Sequence, residues 1–184
     1  MILWGIRSYS HVQLIEPLAL LIINLHGVKM EKTRRVATRG IIFKDGKLLC
    51  QQLKPGANGI VRDYWCTPGG GLDIGESLTD GLYREMIEET GIAPKIGKLL
   101  FVQQFSEDGS KEQMEFFFHI ENSDDYETID LATTSHGELE IEQMEFINRK
   151  AHTLLPAFLQ EIDIRNYIET DKPVLIYTEL SNKK

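Results

Sequence analysis

Residues 77–91 constrain this chain more than any other stretch. Ser77, with Asp80 three residues on, fits a helix N-terminal capping box. Gly91 stands where a left-handed C-cap is expected, and Pro94 prevents continuation. The stretch between them therefore reads as one helix. At about 100° per residue, Leu78, Leu82 and Met86 form an apolar stripe. Glu85 and Glu89, four residues apart, fall along its edge, with Glu88 beside Glu85 and Arg84 further round. These carboxylates point toward the rim of a core. Two of them about 4 Å apart repel by about 4 kcal/mol at an effective dielectric of 20. A shared proton or a divalent cation relieves that repulsion, and carboxylates are hard oxygen ligands suited to Mg²⁺. Gly81 inside the helix costs up to about 1 kcal/mol against alanine, with no account at the level of sequence.

The helix is entered from Gly69-Gly70-Gly71. Such a loop passes close to a ligand and offers carbonyls to a metal or amides to a phosphate. Loop, carboxylates and packing stripe together suit metal-assisted attack on a diphosphate. A glutamate-rich helix taken alone is more often a solvated face, and a glycine triplet alone is weaker still. The fixed spacing of the two is what carries the reading.

Around this motif the pattern is mixed. Residues 35–43 read as a strand, Asp45-Gly46 as a hairpin turn and residues 47–53 as its partner strand. Residues 55–59 read as a loop, and residues 64–67 as a short strand entering Pro68. Two strands, 98–106 and 113–121, flank a turn at 107–110. Phe116-Phe117-Phe118 reads as core strand, because no basic residues interleave as they would on a base-stacking platform. Residues 141–147 form another strand. Residues 150–168 are helical in pattern, with Pro156 breaking or restarting them. Residues 173–180 close with a short strand. This order predicts an α/β sandwich.

Length and charge narrow the class. The 184 residues favour one domain with a sizeable core. A net charge of -8 argues against non-specific nucleic-acid binding. Cys50 and Cys66 lack C-x-x-C spacing and read as reduced thiols of a cytoplasmic protein. The five histidines lack zinc-type spacing and read as surface or core residues. The apolar run around residues 18–23 is too short and interrupted to span a membrane. Nor does it carry the flanks of a signal peptide. Residues 1–29 read as an N-terminal appendage, an upstream start or a short interface helix, with residues 30–184 as the single domain.

Gly70, Glu76, Arg84-Glu85, Met86, Glu88-Glu89, Gly91 and Ile92 together resemble the signature of the Nudix hydrolases. Every fixed position matches over 23 residues, and looser agreement extends over residues 32–159. The resemblance implies an α/β/α sandwich with a mixed β-sheet. It implies hydrolysis of a nucleoside diphosphate linked to another group, with Mg²⁺ or Mn²⁺. Glu85 and Glu89 would be the principal metal ligands, joined by the Gly69 carbonyl. Glu88 would be a ligand through water or an assisting base in the attack of water on phosphorus. Arg84 would orient these carboxylates, with Glu76 as its structural partner and Gly70 and Gly91 as structural supports. Glu138 or Glu140 is the candidate for a later base or extra ligand.

The expected substrate is a small-molecule nucleotide, with no nucleic acid or membrane partner, and a homodimer is expected by analogy. ADP-ribose-cleaving relatives often place a proline where this chain has Asp108. Dinucleoside-polyphosphate relatives often place a tyrosine where Gly109 and Ser110 stand. The reading therefore tilts to a normal or modified nucleoside triphosphate, with ADP-ribose or a nucleotide sugar as the alternative. Arg39, Phe105 and Phe117 are the candidates for the base pocket. A non-catalytic nucleotide sensor would want an appended basic domain. Isopentenyl diphosphate isomerisation would need a catalytic cysteine, for which Cys66 is the candidate, but its surroundings do not resemble that branch.

Overall fold

A computed structural model describes residues 33–56, 59–106 and 111–180. The expectations for residues 1–29, for the turn at 107–110 and for part of the loop at 55–59 lie outside the described residues. Among the described residues, nine strands form two mixed sheets. They are β1 (Thr33–Ile41), β2 (Phe43–Lys44), β3 (Lys47–Leu53), β4 (Trp65–Cys66), β5 (Ile96–Ser106), β6 (Lys111–Ile120), β7 (Ile141–Ile147), β8 (Leu154–Leu155) and β9 (Leu175–Glu179). The helices are α1 (Leu78–Thr90), α2 (Gly137–Glu140), α3 (Phe158–Glu161) and α4 (Ile164–Glu169).

One sheet runs β1-β6-β5-β9, with β1 parallel to β6, β6 antiparallel to β5, and β9 parallel to β5. The other runs β2-β3-β4-β8, with β7 paired antiparallel to β3. The strand pair expected around Asp45-Gly46 is confined to its tip. The turn has positive φ at both residues, the type I′ geometry that suits a two-residue hairpin. Only Phe43 and Lys44 face β3 in register. Past Ile42 the first strand leaves for the other sheet, where all nine residues of β1 pair with β6. The hairpin is thus a corner between sheets.

Two apolar clusters fill the layers. Leu82 and Met86 of α1 pack with Ile42, Leu49, Phe118, Ile120 and Tyr126. Phe158, Leu159 and Ile164 pack with Ile41, Leu48, Phe101 and Phe117. Helix α1 and the C-terminal helices thus belong to separate clusters, as the α/β/α expectation requires. The helical stretch expected over 150–168 is instead broken. Residues 154–155 pair parallel with β4, and two short helices follow. Pro156 lacks the amide a continuous helix needs there. Among the described residues, no helix is long and apolar enough to cross a membrane.

Candidate active site

Helix α1 is capped as its sequence predicts. The Asp80 amide donates to Ser77 Oγ at 3.1 Å. Gly91 takes φ 71° and donates its amide to the Ile87 carbonyl. The Ser77 hydroxyl in turn donates to Asp80 Oδ2 at 2.7 Å, a side-chain bond where a full capping box would use the Ser77 amide. Gly81 also finds its reason. A Cβ there would collide with the Leu72 side chain of the incoming loop. The absent Cβ leaves room for the Leu72 side chain against α1.

The glycine loop is stitched to β1. The Thr38 amide donates to the Gly70 carbonyl and the Gly40 amide to the Pro68 carbonyl, each at 2.9 Å. Gly69 has φ 118°, and a Cβ there would strike the Thr38 carbonyl. A Cβ on Gly70 would run into the Glu85 carboxylate. So Gly70 is the residue that lets Glu85 lie against the loop backbone.

Three carboxylates gather around one guanidinium. Arg84 donates from Nε to Glu76 Oε1 at 2.8 Å and from Nη2 to Glu76 Oε2 at 2.9 Å. Its Nη1 donates to both Glu85 Oε1 and Glu88 Oε2 at 2.9 Å. Its Nη2 also reaches the Gly71 carbonyl at 3.0 Å. The fork is thereby fixed in space. The Arg84 bonds hold the Glu76 carboxyl down at about 2. The same bonds raise the Arg84 pKa against the pull of partial burial.

Glu89 sits deeper, with 7% of its surface exposed. It accepts from the Gly69 amide at 2.7 Å and from Gln51 Nε2 at 2.9 Å. Burial raises its carboxyl to about 7 despite these two donors. Burial is the main cost of its charge, and the repulsion from Glu85 that the sequence pattern implied is a smaller one. Glu85, Glu88 and Glu89 with the Gly69 carbonyl make a hard-oxygen donor set, and the cost of ionising Glu89 is what a nearby cation would offset. The residues fit a divalent cation on these grounds. Among the described residues no three acidic, imidazole or thiol side chains form a ready-made cage. Arg84 bridges Glu85 and Glu88 instead, and the Gly69 carbonyl accepts from Arg39 Nη1.

Glu138 and Glu140 lie exposed on α2. Their backbone carbonyls accept from Lys54, and among the described residues neither side chain bonds to the α1 carboxylates. The residue of this segment that does reach them is His136. Its amide donates to the Glu88 carbonyl at 3.0 Å, and its Nδ1 lies 3.4 Å from Glu88 Oε2. The histidine spacing held no hint of this, because the contact is made across the fold.

A cavity of about 700 Å³ opens beside the loop. Arg39 and Phe105 line it, as expected, but Phe117 is buried in the core and does not. Arg39 is locked to Glu115, with Nη2 at 2.8 Å and Nε at 3.1 Å from Glu115 Oε1. Burial works against its charge, and Glu115, with smaller help from Cys66 and Glu89, more than restores it. Cys66 also lines the cavity, and burial pushes its thiol to about 11, so it is no ready nucleophile. Arg35 stands exposed at the rim, where a Cβ on Gly71 would meet its Nη2 at 3.0 Å. Among the described residues no carboxylate pairs with it. Sequence reading passed over Arg35 as one of several basic residues near the start of β1.

The NUDIX domain model matches residues 33–163, most of the chain. The chain belongs to the NUDIX domain family. It is 40% identical over 67 residues to a protein of Methanocaldococcus jannaschii named ADP-ribose pyrophosphatase. It is 50% identical over 36 residues to one of Shewanella denitrificans named RNA pyrophosphohydrolase. Those matches cover 36% and 20% of this chain, and 38% and 21% of the two relatives. In structure the chain is similar to the MutT protein of Methanosarcina mazei Go1. The TM-score is 0.57 at 22% identity, over 77% of this chain and 99% of that one. That likeness speaks for the Nudix fold.

Proposed function

We propose that residues 30–184 form a Nudix pyrophosphohydrolase. Its substrate is a small nucleoside diphosphate-linked molecule, foremost a normal or modified nucleoside triphosphate cut to monophosphate and pyrophosphate. The observation that carries this reading is the gathering of Glu85, Glu88 and Glu89 beside the Gly69–Gly71 loop, with an open cavity next to it. Glu85, Glu89 and the Gly69 carbonyl would hold Mg²⁺ or Mn²⁺. That ion supplies Lewis-acid neutralisation of phosphate charge and a more acidic water.

The chain's own residues do the rest. Arg84 fixes Glu85 and Glu88 in one orientation and is itself fixed by Glu76. Glu88 accepts the proton of the attacking water at its carboxylate, with His136 beside Oε2. Arg35, at the cavity rim, meets the phosphate chain as it leaves the pocket for the loop. Arg39 bridges pocket and loop by bonding both Glu115 and the Gly69 carbonyl.

A second reading, ADP-ribose or nucleotide-sugar hydrolysis, is favoured by the relative named ADP-ribose pyrophosphatase. A phosphate-release panel with Mg²⁺ or Mn²⁺ separates the two. It contains nucleoside triphosphates (normal and oxidised), ADP-ribose, nucleotide sugars and triphosphorylated RNA. Pyrophosphatase couples triphosphate cleavage and phosphatase couples monophosphate release. Turnover of triphosphates is expected. Turnover confined to ADP-ribose or sugars moves the assignment to the second reading, and inertness toward all of them overturns both.

A further inference from the structure

Side chains grip Gly69 at both of its polar backbone atoms. Its amide donates to Glu89 Oε2 at 2.7 Å, and its carbonyl accepts from Arg39 Nη1. Each grip is anchored in turn. Gln51 Nε2 donates to the other Glu89 oxygen at 2.9 Å. Glu115 Oε1 accepts from Arg39 Nε at 3.1 Å and from Nη2 at 2.8 Å. The bonds run unbroken from Gln51 on β3, through Glu89 on α1 and Gly69, to Arg39 on β1 and Glu115 on β6. The Arg39 and Glu115 side chains are only 17% and 9% exposed, so water screens this end of the chain weakly.

Arg39 does at the Gly69 oxygen what a metal ion would do there. That carbonyl belongs to the donor set assigned above to a divalent cation. A guanidinium is a permanent cation with donors only. A carbonyl has a second lone pair, so the conflict is one of charge and not of valence. An ion seated on that oxygen meets a like charge at hydrogen-bond range, where little water intervenes. The planar fork sharpens this. Nε and Nη2 are committed to Glu115, so Nη1 leaves the carbonyl only if the whole fork tilts. Arg84 is a milder neighbour. It takes one oxygen of Glu85 and one of Glu88, and each carboxylate keeps its other oxygen to offer.

We propose that Arg39 is a positioning residue that holds down the cation affinity of this site. It occupies the Gly69 carbonyl, and a divalent ion gains that ligand only as Arg39 tilts off it. The cavity that Arg39 lines gives room for the tilt. The inference rests on the metal reading above and names the residue that sets how tightly the ion is held.

The test is Mn²⁺ binding to the full chain without nucleotide, read as loss of the free-ion paramagnetic resonance signal. The informative variant is Arg39→Leu with Glu115→Met. Removing the pair together leaves the net charge of the site as it is. A buried ion pair exchanged for apolar residues is often neutral for folding or stabilising. The Mn²⁺ dissociation constant of this variant is expected to fall about tenfold below that of wild type. Unchanged or weaker binding overturns the proposal and leaves Arg39 as a brace for the loop. If the double variant fails to fold, Arg39→Lys takes its place under the same criterion. One ammonium keeps the charge beside Glu115 but lacks the fork that spans both acceptors. Glu89→Gln identifies the site being read, and it should weaken binding in both backgrounds. If it does not, or if wild type binds no Mn²⁺, the metal reading fails and the inference with it. Binding that Glu89→Gln weakens but the double substitution leaves unchanged sinks the inference alone.

Discussion

Two stretches of one sheet face sit side by side and behave oppositely. Ile41, Phe117 and Phe101 occupy one stretch of the inward face of β1, β6 and β5, buried against Phe158 and its neighbours. Two residues along each strand, on the same face, stand Arg39, Glu115 and Gln103. Strand alternation puts all six on one side. Their neighbours separate them: the first trio is sealed by the C-terminal helices, and the second opens into the cavity. A polar row that continues a core face is costly unless a ligand or an internal pair satisfies it. Here Arg39 and Glu115 satisfy each other, and Gln103 Oε1 stays unsatisfied.

The sharpest way to separate the two stretches is to truncate one residue from each. Phe101→Ala should cost about 3–5 kcal/mol of stability, because Phe101 is fully buried and touches Phe117, Phe158 and Tyr167. Gln103→Leu should leave stability unchanged or raise it, since it removes a stranded acceptor. Denaturant melts of both variants read this directly, and equal losses would erase the distinction.

Next in size is Gly70→Ala. The added methyl displaces the Glu85 carboxylate, and turnover should fall by about 100-fold with the fold retained. Steady-state rates beside circular dichroism check it. A smaller effect is expected at the rim. Arg35→Ala removes a rim cation from the proposed path of the phosphates and should raise KM by about tenfold with a lesser change in kcat. A purely structural role for Arg35 would move melting temperature instead.

The mildest test uses acid. Arg84 lowers the Glu76 carboxyl from 4.5 to about 2. A carboxyl depressed in the folded state stabilises it above its unfolded value, and that benefit fades as pH falls through the folded one. The melting-temperature gap between wild type and Glu76→Gln should therefore be full at pH 6. It should shrink as pH drops from about 4.5 toward 2. A gap independent of pH would mean that Glu76 acts by packing.

Much of the carboxylate helix was legible in the sequence because its cues are local. Caps, stripe and glutamate spacing all lie within residues 77–91, and the structure sets them as read. The glycine loop was legible as a close approach, though its partners were not. What escaped depends on pairing across the chain. The parallel match of β1 with β6 joins residues 78 apart, and no turn announces it. His136, Arg35 and Gln103 are ordinary polar residues until the fold brings each to its neighbour. Phe117 was misplaced by one step of the strand register: it shares the face of Glu115 but lies under the C-terminal helices. Gly81 shows the reverse, a local oddity whose cause, Leu72, is supplied by packing.

The central claim is that the α1 carboxylates perform the hydrolysis. The most direct measurement is metal-dependent turnover of Glu89→Gln against wild type, with melting curves of both metal-free proteins. The substitution removes a buried charge but keeps an oxygen to accept from the Gly69 amide. Turnover should fall by several orders of magnitude while the variant melts at or above the wild-type temperature at pH 8. Turnover close to wild type in a folded variant would contradict the account.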